Sequence, residues 1–283
     1  MATPLKSVAH PDKDSIQATY LYWLATKLNK ASAQHDLGSM YYKGISVPRN
    51  HAQAVFWYSK AAEQGHTNAQ YNLGRMYQAG EGVTRNYDQA IYWYRKAAEQ
   101  NNALAQNNLG GMYEKGIGLS QDDTQAVYWY QKAAEQGEAF AQNNLGRMYK
   151  KGKGVPRNYA KAIEWYQKAA EKDHAGAQFN LGFMYDEGQG VTENNTQALY
   201  WYRKAAQQDH TAAQNNIGFM YYHGEGVIQS DQTAYLWFAL AASQGHENAQ
   251  KTVIFLENRM SSADIAEAQE RAQSCLDSNY QDC

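Results

Sequence analysis

The pair Ala-Gln returns every thirty-six residues, at Ala33-Gln34, Ala69-Gln70, Ala105-Gln106, Ala141-Gln142, Ala177-Gln178, Ala213-Gln214 and Ala249-Gln250. Full units start at residues 33, 69, 105, 141, 177 and 213 and follow one another without insertion. A unit of this length cannot bury a hydrophobic face alone, so neighbouring units must supply the rest of the core. The period therefore predicts a stacked solenoid, and an extended binding surface rather than a reaction vessel.

Each unit holds two helical patterns. In the second copy Ala69, Leu73, Met76 and Tyr77 fall on one helical face, and Gly80 stands where a left-handed residue closes a helix. After the loop Gly80-Glu81-Gly82-Val83-Thr84-Arg85, Asn86 and its equivalents Asn50, Asp122, Asn158, Asn194 and Ser230 are all preferred N-caps. The second helix carries Ala90, Trp93, Tyr94, Ala97 and Ala98 at helical spacing, so the tryptophan recurring in every copy is expected in the core. This helix is expected to end at Gly65, Asn101, Gly137, Asp173, Asp209 and Gly245, residue types that tolerate the left-handed conformation. Gly38, Gly74, Gly110, Gly146, Gly182 and Gly218 lie inside the first helix, where each costs roughly 0.5–1 kcal/mol relative to alanine. Close helix approach is the expected return, with Ala54 and Ala61 as the small partners.

The organisation predicted is a flexible segment over 1–15, a repeat solenoid over 16–260, a capping helix over 261–276 and a frayed tail over 277–283. Ala18, Leu21, Tyr22 and Ala25 keep the phase of a second helix, so the array opens on a half unit. Ser261-x-x-Asp264 reads as a capping box after a seventh first helix. The formal net charge of −2 offers no electrostatic draw toward nucleic acid. The mean hydropathy of −0.75 is low, but aromatics at 13% supply burial, which argues against disorder. Cys275 and Cys283 are the only cysteines, so no disulfide framework supports the repeats and a reducing compartment is favoured. No secretory signal or membrane-spanning run is legible. The sequence as written reads as cytoplasmic, with a periplasmic or secreted location following from a trimmed leader or a specialised export route.

The unit A-Q-x-x-L-G-x-M-Y-x-x-G-x-G-V followed by A-x-x-W-Y-x-K-A-A-E-Q-G resembles the Sel1-like repeat family over about residues 16–260. Tetratricopeptide repeats are related but run at about 34 residues. The resemblance implies an all-α, right-handed α-solenoid of stacked antiparallel helix pairs, its first helices lining a concave face. It also implies an adaptor or scaffold role, including envelope assembly and bacterium–host contact. A cysteine-rich branch of that family carries a disulfide in each repeat and has been linked to β-lactam chemistry. Neither a repeat cysteine nor an S-x-x-K motif is present here, which leaves a cell-wall or β-lactam hydrolase without a nucleophile motif.

Each candidate site has a competing packing role. The G-x-G loops follow helices, so a helix stop and bend explains them better than phosphate binding. His66, His174, His210 and His246 share one repeat position. Repeats stand roughly a helix diameter apart, too far for metal bonds of about 2 Å, so surface turn histidines are expected and no metal or cofactor is implied. Two positions off the buried stripe of the first helix remain. One reads Asp36, Asn72, Asn108, Asn144, Asn180 and Asn216, an amide ladder that serves inter-repeat bonds, a partner's backbone, or both. The other reads Ser39, Arg75, Gly111, Arg147, Phe183 and Phe219. It runs from basic, helped by Lys115, Lys150 and Lys151, to aromatic, helped by Phe140, Phe179 and Tyr222. The alternative role for these aromatics is inter-repeat packing. Together these residues predict a monomeric, non-enzymatic adaptor that binds a protein or peptide segment, with no nucleic-acid partner and no membrane insertion. A secreted host-interaction factor of a bacterium is the alternative.

Overall fold

The computed structural model describes residues 13–278 and residue 280. Among these residues there are fifteen helices and no strand, as the all-α reading requires. The chain forms two compact units, one up to Ala133 and one from Ala134.

The first unit holds α1 (Lys13–Lys27), α2 (Ala31–Lys43), α3 (His51–Glu63), α4 (Thr67–Ala79), α5 (Tyr87–Glu99), α6 (Ala103–Lys115) and most of α7 (Asp123–Glu135). The second holds α8 (Ala139–Lys151), α9 (Tyr159–Ala170), α10 (Ala175–Asp186), α11 (Asn195–Ala206), α12 (Thr211–His223), α13 (Asp231–Ser243), α14 (Glu247–Glu257) and α15 (Ser262–Asp277). In the first unit α2 pairs with α3 and α4 with α5, while α3 packs on α4 and α5 on α6. The second unit repeats the scheme with α8–α9, α10–α11 and α12–α13, joined through α9–α10, α11–α12 and α13–α14.

The helix ends follow the sequence pattern. Asn50, Asn86, Asn158, Asn194 and Ser230 each accept a hydrogen bond from the backbone three residues on, and Asp122 does the same for Gln125. The closing glycines of the first helices, such as Gly80 at φ 77°, are left-handed. The closing residues of the second helices, including Asn101, Asp173 and Asp209 at φ 56–61°, are left-handed too.

Two expectations about the core are corrected. Only Trp57 and Trp237 are buried; Trp93, Trp129, Trp165 and Trp201 are half-buried. The core ring is the next residue: Tyr58, Tyr94, Tyr130, Tyr166, Tyr202 and Phe238. The same ring explains the interior glycines. A Cβ built on Gly38 would stand 2.7 Å from the ring of Tyr58, and one on Gly182 2.7 Å from Tyr202. The nearest partner is thus this aromatic ring, with the Ala54 equivalents next: the carbonyl oxygens of Ala126, Ala162 and Ala198 stand 3.1–3.2 Å from a Cβ on Gly110, Gly146 and Gly182. The missing methyl group lets both ring and helix backbone approach, and no Ala61 equivalent is among the close atoms.

The glutamines of the first six Ala-Gln pairs, Gln34 to Gln214, are buried and form a polar spine, while Gln250 of the seventh is exposed. A spine glutamine donates through Nε2 to a carbonyl at the end of the preceding second helix: Gln70 to Ala62 (3.2 Å), Gln106 to Ala98 (3.0 Å), Gln142 to Ala134 (3.1 Å) and Gln178 to Ala170 (3.2 Å). Its Oε1 accepts from a glutamine later in its own unit: Gln34 from Gln64 (2.6 Å), Gln70 from Gln100 (2.8 Å), Gln178 from Gln208 (2.8 Å) and Gln214 from Gln244 (3.1 Å). Inter-unit and intra-unit bonds alternate, so the buried amide is satisfied on both sides. At the Gln142 rung the donor position holds Lys172, whose Nζ turns to the Gly137 carbonyl at 2.5 Å. The Gln142 Oε1 is left buried without a protein partner.

At the C-terminal end Ser261 caps α15, accepting from the Asp264 amide and donating its own hydroxyl to the Asp264 carboxylate at 2.7 Å. Helix α15 packs on α13, bringing Ala272 and Cys275 against Leu236, Trp237 and Leu240. Cys275 is buried and disulfide-bonded. The frayed tail expected from Asp277 falls largely outside the described residues. Tyr280 within it is buried; its hydroxyl accepts from Gln214 and donates to Asp209. The segment 1–12 also lies outside them, and α1 already begins at Lys13.

Candidate functional site

Positions off the buried stripe of the first helices form the surface of interest, and each unit carries its own portion. In the first unit Arg75, on α4, is exposed. Its guanidinium lies 5.9 Å from the ring centre of Tyr42 and 6.0 Å from that of Tyr71. Burial works to lower its pKa, but Tyr71 and Tyr42 outweigh it and the net shift is upward. Its Nη2 also lies 3.5 Å from the Tyr42 hydroxyl as a donor, so the guanidinium is fixed beside the two rings with its remaining N–H groups able to meet an acid. Lys115, at the end of α6, is exposed.

The amide ladder is engaged by its neighbours. Asn72 lies 3.3 Å from His35, Asn108 donates to the Tyr94 hydroxyl at 3.2 Å, and Asn180 donates to Asn143 at 2.9 Å. Asn144 lies 3.5 Å from Arg147, and Asn216 bonds the Tyr202 hydroxyl. All but the Asn144–Arg147 contact, which lies within α8, join neighbouring repeats.

In the second unit Arg147 and Lys150 are half-buried on α8, and Lys151 is exposed. The Lys150 ammonium sits 3.9 Å from the ring centre of Phe183, on α10, and burial lowers its pKa. Phe179 and Phe183 are half-buried against the core around Tyr202 and Ile217. Phe179 also stacks on His210 at 4.6 Å, and Phe140, 62% exposed, meets His174 edge-on. Packing thus accounts for much of Phe179. Phe219 is different: it is exposed on α12 with its edge toward Phe238. Tyr222 faces Phe255 of α14 at 6.3 Å and accepts from Arg259 at 3.3 Å, while the Arg259 guanidinium lies over Phe255 at 5.2 Å. Phe255 and Arg259 were missed because the six-copy comparison stopped at the last complete unit. The signal was present, since Phe255 stands thirty-six residues after Phe219.

The repeat-position histidines are not surface turns. His66, His174, His210 and His246 are half-buried N-caps of α4, α10, α12 and α14, each accepting from a backbone amide through Nδ1 at 3.1–3.2 Å. Among the described residues no group of histidine, cysteine or carboxylate side chains is placed to hold a metal ion. No helix there is long and apolar enough to cross a membrane.

Stacked helix pairs, a glutamine spine and a variable outer row define a tandem helical-repeat protein. The chain belongs to the Sel1 repeat family: six consecutive Sel1 repeats match at 31–66, 67–102, 103–138, 139–174, 175–210 and 211–246. Each matched unit begins two residues before its Ala-Gln mark. Among solved structures it is similar to a protective antigen of uropathogenic Escherichia coli strains displaying an SLR fold. The identity is 38% and the TM-score 0.81, over 89% of this chain and 54% of that one. This chain thus spans about half the length of that antigen. It is also similar to a Sel1 repeat protein from Oxalobacter formigenes, with 33% identity and a TM-score of 0.71, over 82% of this chain and 97% of that one. No curated protein matches. Sel1 repeat proteins are generally protein-interaction scaffolds and generally non-enzymatic.

Proposed function

We propose that this protein is a non-enzymatic adaptor that binds a segment of another protein on its first-helix face, with the second unit carrying the main contact. The exposed rings of Phe219 and Phe255, with half-buried Tyr222 and the Arg259 guanidinium beside them, support this reading most directly. Large rings left in water at positions the fold does not need are typical anchors for a partner. Arg147 and Lys151 at the other end of the same unit, and Arg75 and Lys115 in the first unit, would receive acidic groups by charge-assisted bonds. The asparagine ladder contributes by holding the rows in place rather than as the principal grip.

The test is capture of partner proteins by the full chain and by a Phe183→Ala, Phe219→Ala variant. The variant is expected to fold and to lose capture by about tenfold or more. Undiminished capture by a folded variant would remove these rings from the site. The similar E. coli protein is a protective antigen, which favours a second reading in which this protein meets host molecules outside the cell. Detection of the protein in culture supernatant, with intact cells, would favour that reading.

A further inference from the structure

The aromatic series does not end with the sixth repeat. Phe183, Phe219 and Phe255 stand thirty-six residues apart on α10, α12 and α14, so one repeat position carries the same ring on three successive first helices of the second unit. Their exposure rises along the row, from half-buried Phe183 to 37% at Phe219 and 47% at Phe255, with Ile254 beside it at 60%. Cations stand at both ends: Lys150 over Phe183, and Arg259 over Phe255. The nearby carboxylates are partly occupied. Asp186 accepts from the Tyr202 hydroxyl at 3.0 Å and Glu257 from the Tyr235 hydroxyl at 2.9 Å. Glu187 stands close enough to Lys150 to raise its pKa.

Two observations restrict what covers this row. Successive first helices lie roughly 10 Å apart, a helix diameter, so a ligand crossing them must present an apolar group at about that interval. An extended chain can do so, but its backbone N–H and C=O groups then need partners. The asparagine amides along the row already have partners: Asn180 donates to Asn143 and Asn216 bonds Tyr202, while at the end of α14 Asn258 donates to the Ile254 carbonyl of its own helix. An α-helix satisfies its own backbone and rises about 1.5 Å per residue, so a side chain at about every seventh position meets the interval.

Resting on the protein-binding reading above, we infer that the second unit receives an amphipathic α-helix of its partner. The helix lays apolar residues about seven apart across Phe183, Phe219 and Phe255, with an acidic residue at Arg259. The probe is a fluorescein-labelled helical peptide of about 20 residues with leucines seven apart and a glutamate at one end. Its control has the same leucines and glutamate but spaces the leucines three apart in a proline-rich, extended background. Fluorescence anisotropy against the full chain is expected to show saturable binding of the helical probe only. Phe255→Ala should weaken it by about tenfold or more, and Arg259→Gln should weaken it and flatten its salt dependence. Both residues are exposed, and circular dichroism on each variant verifies the fold. Equal or tighter binding of the extended probe, no binding of either, or full affinity in folded Phe255→Ala would overturn the inference. If the helical probe fails while the Phe183→Ala, Phe219→Ala variant still loses its captured partners, protein binding stands and the helical form of the ligand falls.

Discussion

The glutamine spine gives the sharpest test of what holds neighbouring repeats together. Gln178 is 1% exposed, donates to the Ala170 carbonyl at 3.2 Å and accepts from Gln208 at 2.8 Å. Gln178→Leu keeps most of the volume and removes both bonds, together with a longer one from Nε2 to Asp173 at 3.4 Å. The Ala170 carbonyl keeps the Asp173 amide at 3.0 Å, so losing the glutamine costs about 0.5–1.5 kcal/mol there. The Gln208 amide is partly exposed and turns to water, so its share is about 0.5–1 kcal/mol. Leucine returns roughly 1 kcal/mol by burying apolar surface. The net loss is about 1 kcal/mol, or a fall of about 0.5 M in the urea midpoint at a typical slope. Repeat arrays lose cooperativity easily, so amide hydrogen exchange on α9 and α10 should accompany the melt and show the loss concentrated at their junction. A double-mutant cycle with Gln208→Leu isolates the rung: the double variant should lose less than the two single losses added together, because each single change already breaks the same Gln208–Gln178 bond. A midpoint within about 0.2 M of the parent, or strict additivity in the cycle, would refute the argument that the constant glutamine is a hydrogen-bonding residue rather than a filler.

Lys172→Gln is the converse change: it supplies the missing donor to the buried Gln142 Oε1 and should stabilise the second unit by about 0.5–1.5 kcal/mol, read as a higher urea midpoint. The histidine caps make stability depend on pH. Burial lowers the pKa of His174 and His210 below the ordinary 6.5, and the Nδ1 that accepts the cap bond is lost as an acceptor on protonation. The neutral form is favoured in the fold, so the contribution is complete above pH 6.5 and disappears as pH falls from there through the folded value. A His174→Asn, His210→Asn variant keeps a capping side chain, as Asn102 does at the same position. It should therefore lose less stability between pH 7.5 and pH 5 than the parent; an identical loss in thermal melts at the two pH values would remove the caps as the cause.

Much of this was legible in the sequence because helix ends are local. A glycine that must be left-handed, or an asparagine that must reach a backbone amide two or three residues on, carries its reason within a few positions. The misreadings all concern which way a constant residue points. Trp93 and Tyr94 both recur and both fit a helical face, and only the glycine across the pair decides that the tyrosine ring is the one inside. His66 and its equivalents looked like loop residues because histidine is an uncommon cap, although asparagine and glutamate at the same position in Asn102 and Glu138 pointed to the role. On the candidate surface the sequence correctly separated varying from constant positions. It could not show that the asparagine amides were already spent between repeats, since that depends on the distance between side chains thirty-six or more residues apart.

Where the rung is complete, as at Gln70, Gln178 and Gln214, the glutamine joins one repeat to the unit before it and to its own second helix, so such rungs are interchangeable. Any unit carrying the Ala-Gln pair and the later glutamine can be seated between any two others without rewriting either neighbour. The chemistry that makes the stack cohere is thereby separated from the chemistry that meets a partner. Whole thirty-six-residue units can be gained, lost or exchanged, and the row of rings and cations lengthened or reordered, while the frame underneath stays in register.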